Sequence, residues 1–229
     1  MHRLIPRPAA RRAACAAAVI PVLLVAAGCT SDSGADDKPA NSPSPSSSAP
    51  PAPVKYKELP EPCKTLDKGT IEDLVPGADD KTGKDLASSD TERYGSCLWS
   101  GGSGKNDAEY RALTVSLKRY DSDAALGSGD KQAGRFYDQE KKAVASDEAN
   151  KKVEQSALDG DWEQAVVLSY ETEKKKHDYR ISRAVVRDGN VVVTVDYEGT
   201  GFEGADPPSA KEVRKNAERA AKEAAKALG

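Results

Sequence analysis

Polar and apolar positions change rhythm several times along this chain, and each change marks an element. From Leu113 to Lys118 the alternation is strict: Leu113, Val115 and Leu117 stand against Thr114, Ser116 and Lys118, the period of a strand with one buried face. Two-residue periods return over 162–171, 179–187 and 191–197, where Trp162, Val166, Leu168 and Tyr170 share one parity, as do Val191, Val193, Val195 and Tyr197. Asp188-Gly189-Asn190 separates the last two runs and reads as a tight turn, because glycine accepts positive φ without steric cost. The pattern predicts consecutive strands that bury one sheet face.

A three-four spacing replaces the alternation elsewhere. Ala133, Phe136, Tyr137, Glu140 and Val144 predict a helix over 131–146. Asp67 is placed to cap a short helix carrying Ile71, Leu74 and Val75, which Pro76-Gly77 ends. At the C-terminal end Ser209 stands three residues before Glu212, a capping box, and Val213, Ala217, Ala220, Ala224 and Leu228 follow at helical spacing. A stripe made mostly of alanine lets a helix lie close to a sheet. Hairpin-joined strands with helices before and after them predict an α+β fold, an antiparallel sheet with packed helices, as a single domain over 59–229 without internal repeats.

The first 58 residues follow other rules. Arg3, Arg7, Arg11 and Arg12 precede an uncharged run over 13–28, the order of an export signal. That run is alanine-rich, interrupted by Pro21 and shorter than the roughly 20 apolar residues a helical span requires. Ala26-Ala27-Gly28 satisfies a small-x-small cleavage site, and Ala-Ala-Gly-Cys over 26–29 resembles the lipobox of bacterial lipoproteins, with Ala26 where leucine is usual. The resemblance implies a signal peptide over 1–28 and an acylated Cys29, a membrane anchor on the extracytoplasmic face; plain secretion and a retained span are the competing readings. Arg11-Arg12 leaves both the general secretory and the twin-arginine routes open. Residues 29–58, with six prolines between Pro39 and Pro53, read as a disordered linker, because they hold too few apolar residues to form a core. Without residues 1–28 the chain loses four of its 34 basic side chains and none of its 37 acidic ones, leaving a formal charge of −7. A surface with that excess of carboxylates excludes nucleic acid as a partner and gains nothing from anionic lipid.

Cysteine usage extends the export reading. Cys15 falls in the signal and Cys29 at the lipid site, so Cys63 and Cys97 remain, and two thiols left in an exported chain are expected to pair. The alternative is a redox or metal pair. It lacks Cys-x-x-Cys spacing, and His177 is the only histidine left to complete a zinc shell.

Pro62-Cys63, a short helix ending in Pro-Gly, and then Cys97-Leu98-Trp99 resemble a family of actinobacterial cell-envelope lipoproteins that carry a domain of unknown function. The resemblance implies an α/β sandwich, with related domains similar to the Mog1/PsbP type and to sensor domains of receptor kinases. It implies nothing about activity.

Chemistry-bearing motifs are sparse. His177 sits in Lys174-Lys175-Lys176-His177-Asp178 between two predicted strands, where a charged turn needs no further explanation. Gly127-Ser128-Gly129 lacks the Gly-x-Ser-x-Gly spacing of a serine nucleophile. Over 101–105, Gly-Gly-Ser-Gly-Lys fails as a phosphate loop: Trp99 occupies the place of the first glycine and Asn106 that of Ser/Thr, so a loop between strands is expected. Asp196, Glu198, Thr200 and Gly201 imitate part of a calcium loop, but Pro207 stands where a bidentate glutamate should close the shell. The expected function is therefore a non-enzymatic binding or interaction module, without cofactor or metal, whose partner is an envelope protein or a small ligand. The alternative is a wall-modifying hydrolase built on carboxylates that converge only in the fold.

Overall fold

Neighbouring strands all run antiparallel in a seven-stranded sheet. The computed structural model describes residues 52–104 and 108–229; Cys29 and nearly all of the predicted signal and linker lie outside them. In chain order the elements are α1 (Lys68–Leu74), β1 (Lys84–Asp85), β2 (Tyr94–Ser103), β3 (Glu109–Arg119), α2 (Gly129–Ser146), β4 (Lys151–Ala157), β5 (Gln164–Lys174), β6 (His177–Asp188), β7 (Val191–Gly201) and α3 (Ala210–Lys226). The sheet order is β1-β2-β3-β7-β6-β5-β4, so the C-terminal strand closes the gap between the two hairpin halves. This is the α+β class that the periodicity predicts.

Helices pack on both faces of the sheet. On one side Leu113, Val115 and Leu117 of β3 and Val191, Val193, Val195 and Tyr197 of β7 meet Val213, Ala217, Ala220, Ala221 and Ala224 of α3, all at 1% exposure or less. The alanine stripe works as expected: with no side chain beyond Cβ, the helix backbone lies close over the sheet. On the other side Ala133, Tyr137 and Val144 of α2 cover Val166 and Leu168 of β5, Val185 of β6 and Val192 of β7. The expectation of one buried face is thus corrected. The parity set of β5 and that of β7 point to opposite sides, because Val166 pairs with Val185 and Val185 with Thr194, which places Val193 and Val195 on the other side from Val166. Trp162 leaves its predicted set altogether. It precedes β5, donates its Nε1 hydrogen to the Leu158 carbonyl at 3.0 Å, and packs with the α3 core.

The disulfide joins Cys63, in a short 3-10 turn over Pro62–Lys64, to Cys97 of β2, 34 residues on. Trp99 lies one parity step along β2 from Cys97, and both are buried. Gly83 (φ +80°) covers them: a Cβ there would meet Cys97 Sγ at 2.4 Å and Trp99 Nε1 at 2.6 Å, so only glycine allows this approach. The folded body begins before Leu59. The Tyr56 amide donates to Asn190 Oδ1 at 2.8 Å, and Asn190 Nδ2 donates to the Tyr56 and Tyr120 carbonyls at 2.9 and 2.8 Å. Asn190, legible only as a turn residue, thereby pins the entering chain to the β6–β7 turn. Asp67 occupies the N-cap position of α1 but makes no side-chain cap bond. Glu223 of α3 takes that place, accepting from the Asp67 amide at 2.6 Å and from Thr70 Oγ1 at 2.8 Å.

Candidate functional site

The open part of the molecule follows from where α2 sits. The helix packs on β5, β6 and β7 and leaves the same face of β2 and β3 uncovered. Between its C-terminal end and the sheet lies an open groove of about 530 Å³, lined among others by Tyr110, Thr114, Asp147, Tyr170, Asp196 and Glu198. A smaller hollow of about 300 Å³ continues past the helix toward Tyr94, Ser116 and Phe136, and Arg183 and Asp196 line both.

Arg183 organises this face. It is the cross-strand partner of Asp196 and binds it through two parallel bonds, Nε to Oδ1 at 2.8 Å and Nη2 to Oδ2 at 3.0 Å. Its Nη1 reaches Glu140 Oε2 of α2 at 2.9 Å. Burial alone would lower the guanidinium pKa, but the bonds and charge of Asp196, with Glu140 behind, reverse that and raise it. This explains why a glutamate occupies the buried stripe of α2: Glu140 latches the helix to the sheet. Further out Lys174 pairs with Glu198 and holds its ammonium 5.0 Å from the centre of the Tyr179 ring.

Tyr110 and Tyr170 line the groove, and Tyr110 belongs to an aromatic cluster. Tyr110 meets Tyr179 edge-on at 6.4 Å between ring centres and Phe202 at 6.3 Å. Burial is the main cause pushing the Tyr170 phenol up to about 12; the charges of Asp196, Glu198 and Asp147 add to it and that of Arg183 opposes it. Tyr110 shifts the same way, first by burial and then by Glu198. At neutral pH both are neutral phenols.

The sequence-predicted candidates fall into different places. His177 is exposed at the start of β6, edge-on to Phe202 at 4.7 Å. Lys175 and Lys176 form the turn before it with φ of 52° and 68°, left-handed values that cost roughly 1–2 kcal/mol per non-glycine residue. Gly101 and Gly102 lie inside β2 rather than in a loop. A Cβ on Gly101 would stand 2.1 Å from the Gly77 carbonyl oxygen, so the glycine serves close packing of the 77–78 segment and not a phosphate. Ser128 accepts the amide of Lys131 as the N-cap of α2. Asp196 and Glu198 face the groove as alternate strand residues, each tied to a cation, while Thr200 is buried and donates to the Asp178 carbonyl. Among the described residues no group of three or more His, Cys, Asp or Glu is placed to hold a metal ion. Among them, too, no helix is long and apolar enough to cross a membrane. Sequence reasoning missed Tyr110, Asp147, Tyr170 and Arg183. The available signal was charge on a strand face: Arg183 and Asp196 interrupt otherwise apolar runs.

No protein-family model and no curated protein matches the chain, so membership of the actinobacterial family marked by Pro-Cys and Cys-x-Trp is not shown. Among solved structures the chain aligns with LpqN, involved in cell envelope biogenesis of Mycobacterium tuberculosis. The alignment has 14% identity over 56% of this chain and 70% of that one, with a TM-score of 0.29. An overlap of that size does not establish a common fold, and the role of LpqN remains a property of LpqN.

Proposed function

We propose that the chain is a lipid-anchored extracytoplasmic binding module, and that the groove beside α2 is where it captures its ligand or partner. The N-terminal arginines, the apolar run and Cys29 support the anchor. The observation that carries the binding reading is the pairing of Asp196 and Glu198 with cations on the groove wall. Asp196 and Glu140 share Arg183, and Glu198 holds Lys174. These pairs hold the side chains in fixed positions and engage carboxylate oxygens with neighbouring cations, an arrangement suited to orienting a bound group. A concave site with a few oriented polar groups and tyrosine walls suits recognition.

The test is partner recovery from native membranes with the full-length protein, comparing wild type with Thr114→Trp, which places an indole in the groove. Loss of recovery with unchanged membrane retention is the expected result. Unimpaired recovery places capture elsewhere. Release of soluble fragments from purified cell wall, abolished by Asp196→Asn, would replace the binding reading with the hydrolase. Cys29→Ser tests the anchor separately: acyl labelling should disappear, and unchanged labelling and membrane retention would remove the lipid site.

A further inference from the structure

The lining of the groove is electrically unequal. Its walls carry three carboxylates, Asp147, Asp196 and Glu198, and two cations, Lys174 and Arg183. Both cations are already engaged, Arg183 by Asp196 and Glu140 and Lys174 by Glu198. Asp147 has no ion-pair partner among the described residues; its Oδ1 accepts the Ala149 amide at 3.0 Å, which leaves its other oxygen without a partner there. Tyr170 stands nearby with a largely buried ring and a phenol that makes no hydrogen bond among the described residues. The excess charge in the groove is therefore negative and borne on its tyrosine-lined side.

We infer that this end of the groove receives an organic ammonium group, held by the Asp147 carboxylate, by the Glu198 oxygen that Lys174 does not take, and by the rings of Tyr110 and Tyr170. This rests on the reading of the groove as the binding site and names the chemical class of its ligand. An ammonium supplies N–H donors to the carboxylates and charge to the electron-rich ring faces, the two attractions this lining offers together. An anion would have to break the pairs of Lys174 or Arg183 to find a cation. A neutral polyol could meet the hydroxyls but would leave the carboxylate charge uncompensated.

Three five-carbon probes of matched length separate the classes: cadaverine, 1,5-pentanediol and glutarate, titrated by calorimetry into the full-length protein in neutral detergent. Cadaverine alone is expected to bind, more weakly as salt rises, because screening acts on the charge component. Asp147→Asn and Tyr170→Leu should each weaken it about tenfold, while Glu173→Gln, on the exposed neighbouring position of β5, should leave it unchanged. Asp147 is exposed, so its variant keeps the fold, and a melting curve confirms this. Equal binding of pentanediol, or preference for glutarate, overturns the ammonium class while leaving the groove as the site. If no probe binds but Thr114→Trp still abolishes partner recovery, the ammonium class also falls and the binding reading stands. Cadaverine binding that survives Thr114→Trp lies outside the groove and overturns the inference.

Discussion

The two faces of the sheet are built from similar strands but finished differently. Under α3 the contact is closed: alanines at 1% exposure or less sit on valines and leucines, and the buried phenol of Tyr197 donates to the Leu74 carbonyl at 2.6 Å. Under α2 a smaller apolar patch of seven buried residues gives way to Arg183, Asp196 and Glu140, and beyond them to open space. Small residues let α3 approach until no room is left. Long side chains on α2 and an uncovered β2–β3 hold room open. One face is closed and the other leaves a groove open, and the difference lies in side-chain size under each helix and in how far α2 reaches across the sheet.

The largest expected effect deepens the contrast from the α3 side. Cys97→Ser opens a loop of 34 residues and should cost roughly 4 kcal/mol on loop-closure entropy, read from urea unfolding. Cadaverine binding at low denaturant should persist, since the disulfide does not line the groove; joint loss of both would mean that the faces are not separable. Next comes one substitution made on each helix. Ala220→Leu forces a branched side chain into the closed contact and should cost about 1–3 kcal/mol. Ala143→Leu, on the exposed flank of α2 above the groove, should stay within about 0.5 kcal/mol. Equal costs would erase the distinction.

A pH series probes the polar face directly. The Tyr170 phenol is raised from 10.0 to about 12, so the unfolded chain loses this proton first. Its contribution is complete below about pH 10 and is lost as pH climbs toward 12, amounting to at most about 3 kcal/mol. Tyr170→Phe keeps the ring and should flatten that part of the stability profile; an unchanged slope would assign it to another group. A small effect is also expected of Lys174→Ala. Its pair with Glu198 is partly exposed, so the loss should be under about 1 kcal/mol and should shrink with salt.

Legibility along the sequence followed the range of the forces. The start of α3 is an example: Ser209 Oγ accepts from the Glu212 amide at 3.2 Å as the capping motif predicts, because cap and donor lie within one turn. β3 and β7 were readable because each alternates against a core. β4 was not, since Lys151–Ala157 is exposed almost throughout and carries no apolar period; its pairing with β5 alone makes it a strand. β2 was hidden by its glycines, which look like a loop in isolation although Gly101 serves the close approach of the 77–78 segment. The groove residues were invisible for a related reason. Nothing local to Tyr110, Asp147, Tyr170 or Arg183 says that they share a cavity.

From residues a few positions apart the sequence by itself determined the period of most elements, the α+β class, the alanine contact of α3 and the two cysteines available to pair. Those properties depend on short-range geometry, where side-chain spacing along the backbone is set by bond lengths and dihedral preferences. Which face each strand set meets was left to the tertiary structure. β7 inserts between β3 and β6, joining Val115 to Val195 and Val195 to Ala184, and that register sends the apolar sets of β5 and β7 to opposite sides. The groove was decided at the same level. It exists because α2 stops short of β2 and β3, and a helix finds its resting place from the summed packing of a whole face.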